Sequence, residues 1–178
     1  MKILVLVAHP DYEHSRVSRC WVEELRKSPY VTVHNLQAMY PTGQINIYYE
    51  RELILRHDRI VFQFPLLWFQ PPSILKKWQD EVLTYLWNGS EGDKLRGKEL
   101  LLAMSMGAKE EDYQPNGLHA LTMEEIICPY QALARLIGMN FLPSFQFYNA
   151  VNATHQEIQE SAKRYVEHIL EVSATPIA

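Results

Sequence analysis

The chain opens on Lys2-Ile3-Leu4-Val5-Leu6-Val7-Ala8-His9-Pro10-Asp11. An unbroken apolar, β-branched run such as Ile3 to Val7 suits a central parallel strand, which helices cover on both faces. The run ends at once in His9-Pro10-Asp11, and no small-residue cleavage site follows a longer apolar stretch. It therefore reads as a strand delivering a polar loop, not as a secretory leader.

Outward from this strand, strand-like and helix-like stretches alternate. Residues 15–27 read as a helix with Val17, Cys20, Trp21 and Leu25 at helical spacing, ended by Ser28-Pro29. Residues 30–36 alternate like a more exposed strand, a helix follows at about Tyr48 to His57, and Arg59 to Phe64 is a third, buried strand. Pro71-Pro72-Ser73 opens a helix whose apolar residues Ile74, Leu75, Trp78, Val82, Tyr85 and Leu86 share one face, with Lys76, Lys77, Gln79, Asp80 and Glu81 outside. Gly89 to Gly97 reads as a polar loop, Glu99 to Met104 as strand four, 123–137 as a helix, and Asn140 to Phe147 as strand five. Thr154 and Glu157 have capping-box spacing before a last helix to about residue 172. The expectation is an α/β, three-layer sandwich: one domain over residues 1–178, with a five-stranded parallel sheet in the order 2-1-3-4-5 and helices on both faces. In that order ligands bind beyond the carboxyl ends of strands one, three and four, which singles out the loops 8–18, 64–72 and 105–119.

Bulk composition narrows the partners. The 178 residues are 47% hydrophobic and 21% charged, with 17 basic against 21 acidic side chains and no dense basic cluster, which argues against nucleic acid as a partner. Two cysteines, Cys20 and Cys128, form no CxxC and fit a reduced compartment, the cytoplasm. No apolar run approaches the roughly 20 residues of a membrane helix.

Chemistry concentrates in the three loops. His9, Ser15, Arg16, Val17 and Ser18 surround the start of a helix whose first amides lack partners, and so form a cradle for one phosphate, although Ser15 reads equally as a plain helix cap. Phe64-Pro65-Leu66-Leu67-Trp68-Phe69-Gln70 carries apolar and aromatic residues past the strand end; they either cover a flat ring or serve as core or dimer contacts. Ser105-Met106-Gly107-Ala108 is small enough for a ligand to approach the backbone. Tyr113 and His119 can donate to a carbonyl gaining charge, or be ordinary surface residues. A rival reading takes His9-Pro10-Asp11 as similar to the zinc-binding opening of sugar deacetylases. Tyr12 stands where that family has a second acid, and His34, His57, His119, His155 and His168 form no further ligand motif, so no metal is expected.

Taken together, Ala8-His9-Pro10 with Ser15, Phe64-Pro65-Leu66-Leu67-Trp68 with Pro72-Ser73-Ile74-Leu75-Lys76-Lys77-Trp78, and Gly97-Lys98 resemble the flavodoxin-like NAD(P)H dehydrogenase (quinone) family. Leu36-Gln37-Ala38-Met39-Tyr40-Pro41, Ile60-Val61-Phe62-Gln63 and Gly138 to Pro143 look most like its ancillary flavoproteins of glutathione-gated potassium efflux; DT-diaphorase-type reductases are related. The resemblance runs over about residues 2–170. It implies a flavin, FMN by analogy with the shorter members and FAD as the larger alternative, reduced by NAD(P)H and reoxidised by a quinone-type acceptor in a ping-pong cycle. It also implies that His9, Ser15, Val17 and Ser18 hold the ribityl and phosphate part of the flavin, to which the local reading adds Arg16. Pro65, Leu66, Leu67 and Trp68 would line the ring, with Phe69 added by the local reading, Ser105, Met106, Gly107 and Ala108 closing its other side and Tyr113 and His119 serving catalysis. A homodimer is implied as well, with exposed Trp68, Phe69 and Tyr130 at hand for it. The alternative role is a regulatory subunit docked on a potassium-efflux transporter, peripheral to the inner face of the membrane. One departure stands out: the family's Thr-Thr-Gly-Gly after strand four is Ser105-Met106-Gly107-Ala108 here, so backbone approach to the ring is expected to differ.

Overall fold

The computed structural model describes residues 1–172. Its first half runs β1 (Ile3–Val7), α1 (Arg16–Leu25), β2 (Val31–Asn35), α2 (Leu36–Met39), α3 (Ile47–Leu55), β3 (Arg59–Pro65), α4 (Ser73–Trp78) and α5 (Thr84–Asn88). The second half runs β4 (Glu99–Ser105), α6 (Met123–Ile137), β5 (Asn140–Phe141), β6 (Phe145–Phe147) and α7 (His155–Glu171). The single-domain reading to residue 178 includes six residues, 173–178, that lie outside the described residues.

The sheet is parallel throughout and follows the expected order β2-β1-β3-β4-β5. All five residues of β1 are fully buried, because α1 and α7 cover one face while α3 to α6 cover the other. Val5, Val61 and Leu101 pack toward α1 and α7; Leu6, Phe62 and Leu102 pack toward the opposite layer. Among the described residues no helix is long and apolar enough to cross a membrane.

Three local expectations need correction. The fifth strand is two short ones, β5 and β6, both paired to β4. Pro143 between them has no N–H for the ladder, and its carbonyl accepts from His168 Nε2 at 2.8 Å instead. The helix from Ser73 is interrupted by a π-helical segment, Gln79–Leu83, whose wider turn rotates the residues after it. Tyr85 is consequently turned outward against Tyr48, ring centroids 5.6 Å apart, while Gln79 is drawn half inside. The polar stretch 89–97 contains a 3-10 turn, Gly92–Leu95, that buries Leu95.

One polar cluster sits inside the α3–α6 layer. Glu50 on α3 is fully buried, and its carboxylate accepts from His34 Nε2 of β2 at 2.7 Å, from Trp78 Nε1 of α4 at 2.7 Å, and from the Tyr40 hydroxyl. Burial first, and then the Glu50 carboxylate, push the Tyr40 hydroxyl far up, so it remains a donor. A buried carboxylate is tolerable only with such company.

Candidate functional site

Val7, Gln63 and Ala103 are neighbours across β1, β3 and β4, so the loops leaving these strands emerge side by side. They enclose a cavity of about 450 Å³ lined by His9, Asp11, His14, Ser15, Arg16, Val17, Pro65, Leu66, Leu67, Ser105, Met106, Gly107, Ala150 and Val151. That volume lies within the usual range of small-ligand sites. Ten of the anticipated binding residues therefore share one wall system. Ser18, Trp68, Phe69, Ala108, Tyr113 and His119 lie off it.

At one end of the cavity stands the N-terminus of α1. Ser15 is its cap: the hydroxyl accepts from Ser18 N at 3.0 Å, which leaves the Arg16 and Val17 amides open at the positive end of a ten-residue helix. The plain-cap reading of Ser15 and the anion-cradle reading thus coexist in one geometry. Ser18 is buried behind the cap, where its carbonyl accepts from Gln63 Nε2. Arg16 reaches across to the Ala153 carbonyl at 2.5 Å. His9 Nδ1 accepts from the Asp11 amide at 3.1 Å, and burial, outweighing the Asp11 charge, pulls its pKa below the ordinary histidine value. The neutral ring with Nδ1 accepting carries its proton on Nε2, a single donor.

The other end is apolar, built from Pro65, Leu66, Leu67 and Met106. Leu66 N donates to the Ser105 carbonyl at 2.9 Å, tying the two loops together. Leu67 and Gln70 then exchange both amide bonds at 2.9 Å, so Trp68 and Phe69 form a two-residue hairpin turn with φ of +50° and +64°. Asn-Gly is the usual occupant of such a turn, because L-residues resist the left-handed region. The turn closes without the Trp68 and Phe69 amides, and Trp68 is 93% exposed. Ala108 packs into the core, its carbonyl taken by Asn149 N at 2.8 Å. A Cβ added at Gly107 would come within 3.3 Å of Val151 Cγ2, so the missing side chain keeps this wall open.

Tyr113 and His119 come together beside the cavity, ring centroids 4.8 Å apart, and Phe69 meets His119 edge-on at 5.2 Å. Burial first and Asp112 second raise the Tyr113 pKa, which keeps its hydroxyl a donor. Tyr148, whose ring lies 5.7 Å from Tyr113, extends this aromatic group. Tyr130, expected on the surface, is buried against Phe64, their rings stacked at 6.0 Å. A separate groove of about 350 Å³ beside α6 takes in Phe69, Trp87, Leu133 and Leu136.

Several lining residues escaped the sequence reading. Asp11 and His14 lay in the inspected loop, and their i, i+3 spacing was the available signal. Ala150 and Val151 form a fourth wall after β6; being small and apolar, they announce no chemistry. Among the described residues no three His, Cys, Asp or Glu side chains are placed to hold a metal ion. His34, His57 and His168 are engaged by Glu50, by Thr32 with the Leu53 carbonyl, and by the Pro143 carbonyl.

With this geometry in place, comparisons with known proteins converge. A sequence profile of a family described as having a flavodoxin-like fold matches residues 1–169. A Bacillus subtilis protein named as the uncharacterized NAD(P)H oxidoreductase YdeQ is 48% identical over 177 residues, 99% of this chain and 90% of its own length. General stress protein 14 of Treponema denticola, solved in complex with FMN, superposes with a TM-score of 0.88 at 38% identity, covering 94% of this chain and 97% of that one. The glutathione-regulated potassium-efflux ancillary protein KefG of Erwinia tasmaniensis is 33% identical over 92% of this chain and 90% of its own length.

Proposed function

This chain belongs to the flavodoxin-like family, and from that premise we propose that it is an FMN-dependent NAD(P)H oxidoreductase with a quinone-type acceptor. The observation that carries the reading is one cavity with an apolar wall at Pro65–Leu67 and open helix amides at Arg16 and Val17. FMN has the matching parts: a flat ring and a phosphate joined by a polar chain. The FMN in the Treponema denticola relative supports the choice over FAD.

The residues divide the work. The Arg16 and Val17 amides and the Arg16 guanidinium hold the phosphate, and His9 Nε2 donates to the polar chain. Pro65, Leu66, Leu67 and Met106 seat the ring and exclude water from it, while the Trp68 and Phe69 amides stand free to meet its polar edge. When bound, FMN would supply the two-electron hydride chemistry of a ping-pong cycle between NAD(P)H and the quinone-type acceptor. Tyr113 and His119 stabilise negative charge on the acceptor and supply its proton, together with Tyr148 as a neighbour.

The protein acts in the cytoplasm as a homodimer. The exposed Trp68, together with the 63% exposed Leu136 and the 44% exposed Trp87 that line the α6 groove, is the surface such a dimer would cover. Resemblance to KefG favours a second role, docking on a potassium-efflux transporter at the inner membrane face. The first test is the visible spectrum of purified protein with its released cofactor identified. FMN release with rapid NAD(P)H-dependent quinone reduction supports the enzyme. Protein that is colourless and takes up no added flavin refutes it, and co-purification with a transporter in that case favours the docking role.

A further inference from the structure

This inference rests on the flavin-site reading above. Among the described residues, the side chains lining the cavity that carry or can take a charge are His9, Asp11, His14 and Arg16, with no lysine. His9 is held neutral by burial. Arg16 already spends a guanidinium N–H on the Ala153 carbonyl at 2.5 Å. Asp11 is fixed in place from two sides: its amide donates to His9 Nδ1 at 3.1 Å, and its carboxylate meets His14 Nδ1 at 2.8 Å. The His14 contact holds the Asp11 carboxyl below the usual carboxylate range, so it is an anion at neutral pH. An acid therefore lines the same cavity as the open Arg16 and Val17 amides, where a phosphate would be received.

We propose that Asp11 is a specificity-determining residue that holds down the phosphate's share of flavin affinity. Like charges at this range repel, but the Asp11 side chain is 65% exposed, so solvent reduces the effect to a few-fold.

The test titrates the full-length, flavin-free protein with FMN and with riboflavin, which has the same ring and no phosphate. The quantity read is the ratio of riboflavin Kd to FMN Kd at low salt and neutral pH. Asp11→Asn, which keeps the shape and can still accept from His14, is expected to raise that ratio about threefold with riboflavin binding unchanged. High salt is expected to shrink the difference between Asp11→Asn and the wild type. An unchanged ratio in Asp11→Asn, with both flavins bound, overturns the proposal and leaves the flavin site standing. Equal tightening of both flavins also overturns it, since the effect would then act on the ring. Failure of the wild type to bind either flavin refutes the flavin site and this proposal together.

Discussion

The Glu50 cluster and the Trp68–Phe69 turn are both built at the carboxyl side of the sheet, yet they treat backbone and polar groups in opposite ways. At Glu50 a charge is taken fully out of water, and three donors from β2, the segment after α2, and α4 meet it. At the turn, two aromatic residues occupy left-handed backbone that suits Asn-Gly, one of them is 93% exposed, and neither amide is used. The first region agrees with itself at every level; the second gives up local consistency. Proteins carry such concessions where a ligand or partner repays them. The contrast therefore supports the proposal that the turn belongs to the site and the Glu50 cluster to the scaffold.

The strongest way to break the comparison is to remove the Glu50 carboxylate. Glu50→Ala would leave Trp78 Nε1, the Tyr40 hydroxyl and His34 Nε2 buried and unpaired, and is expected to cost about 3–5 kcal/mol in urea unfolding. A loss under about 1 kcal/mol would mean that the cluster is no anchor. The turn should answer in the other sense. Trp68→Asn with Phe69→Gly removes left-handed strain at two positions and is expected to stabilise the flavin-free fold by about 1–2 kcal/mol. The same pair should weaken FMN binding about tenfold, because the two aromatic rings are gone and Phe69 no longer holds His119. A destabilised double variant would place the turn with the scaffold.

These two regions also differed in how far they could be read from sequence. The buried strands were legible because Ile3–Val7 and the runs entering β3 and β4 are unbroken apolar stretches, and the sheet order then located the three loops. The Glu50 cluster was not: its partners lie 16, 10 and 28 residues away, at distances set by crossover topology and not by helical or strand period. Tyr85 was misplaced because a π-helical turn obeys neither period. The aromatic run at Trp68–Phe69 was visible as an anomaly, but its turn geometry was not, since those side chains are the last ones a two-residue hairpin would invite. Val151 gave no signal at all, being one more small apolar residue.

Gly107 sharpens the contrast from inside the cavity. Its φ is not left-handed, and an added Cβ meets one neighbour, Val151 Cγ2 at 3.3 Å, a tight contact to which the 72% exposed Val151 side chain has to yield. Gly107→Val should therefore move thermal stability little while filling the wall that a ring would need. Retention of FMN is expected to fall about fivefold, measured as Kd at unchanged Tm. A variant that loses stability and flavin together would show that the wall is part of the core.

The smallest effect belongs to His9, where scaffold and site share one side chain. Burial holds its folded pKa below the ordinary histidine value, against a weaker pull upward from Asp11. As pH falls through the ordinary value, about 6.5, the unfolded chain takes up this proton before the folded one does. The contribution of His9 to stability is therefore complete above that value and declines on acidification toward the folded pKa. Protonation also turns Nδ1 from acceptor to donor and breaks the bond from the Asp11 amide, so the loop that carries the proposed phosphate cradle loosens by the same event. His9→Gln has no proton to gain, and Tm differences from the wild type, taken without flavin, cancel every other acid-sensitive group. The wild type should lose its margin over the variant as pH drops below about 6.5. A margin that stays constant would mean that the ring is free to take its proton in the fold, and that the loop is not held through Nδ1.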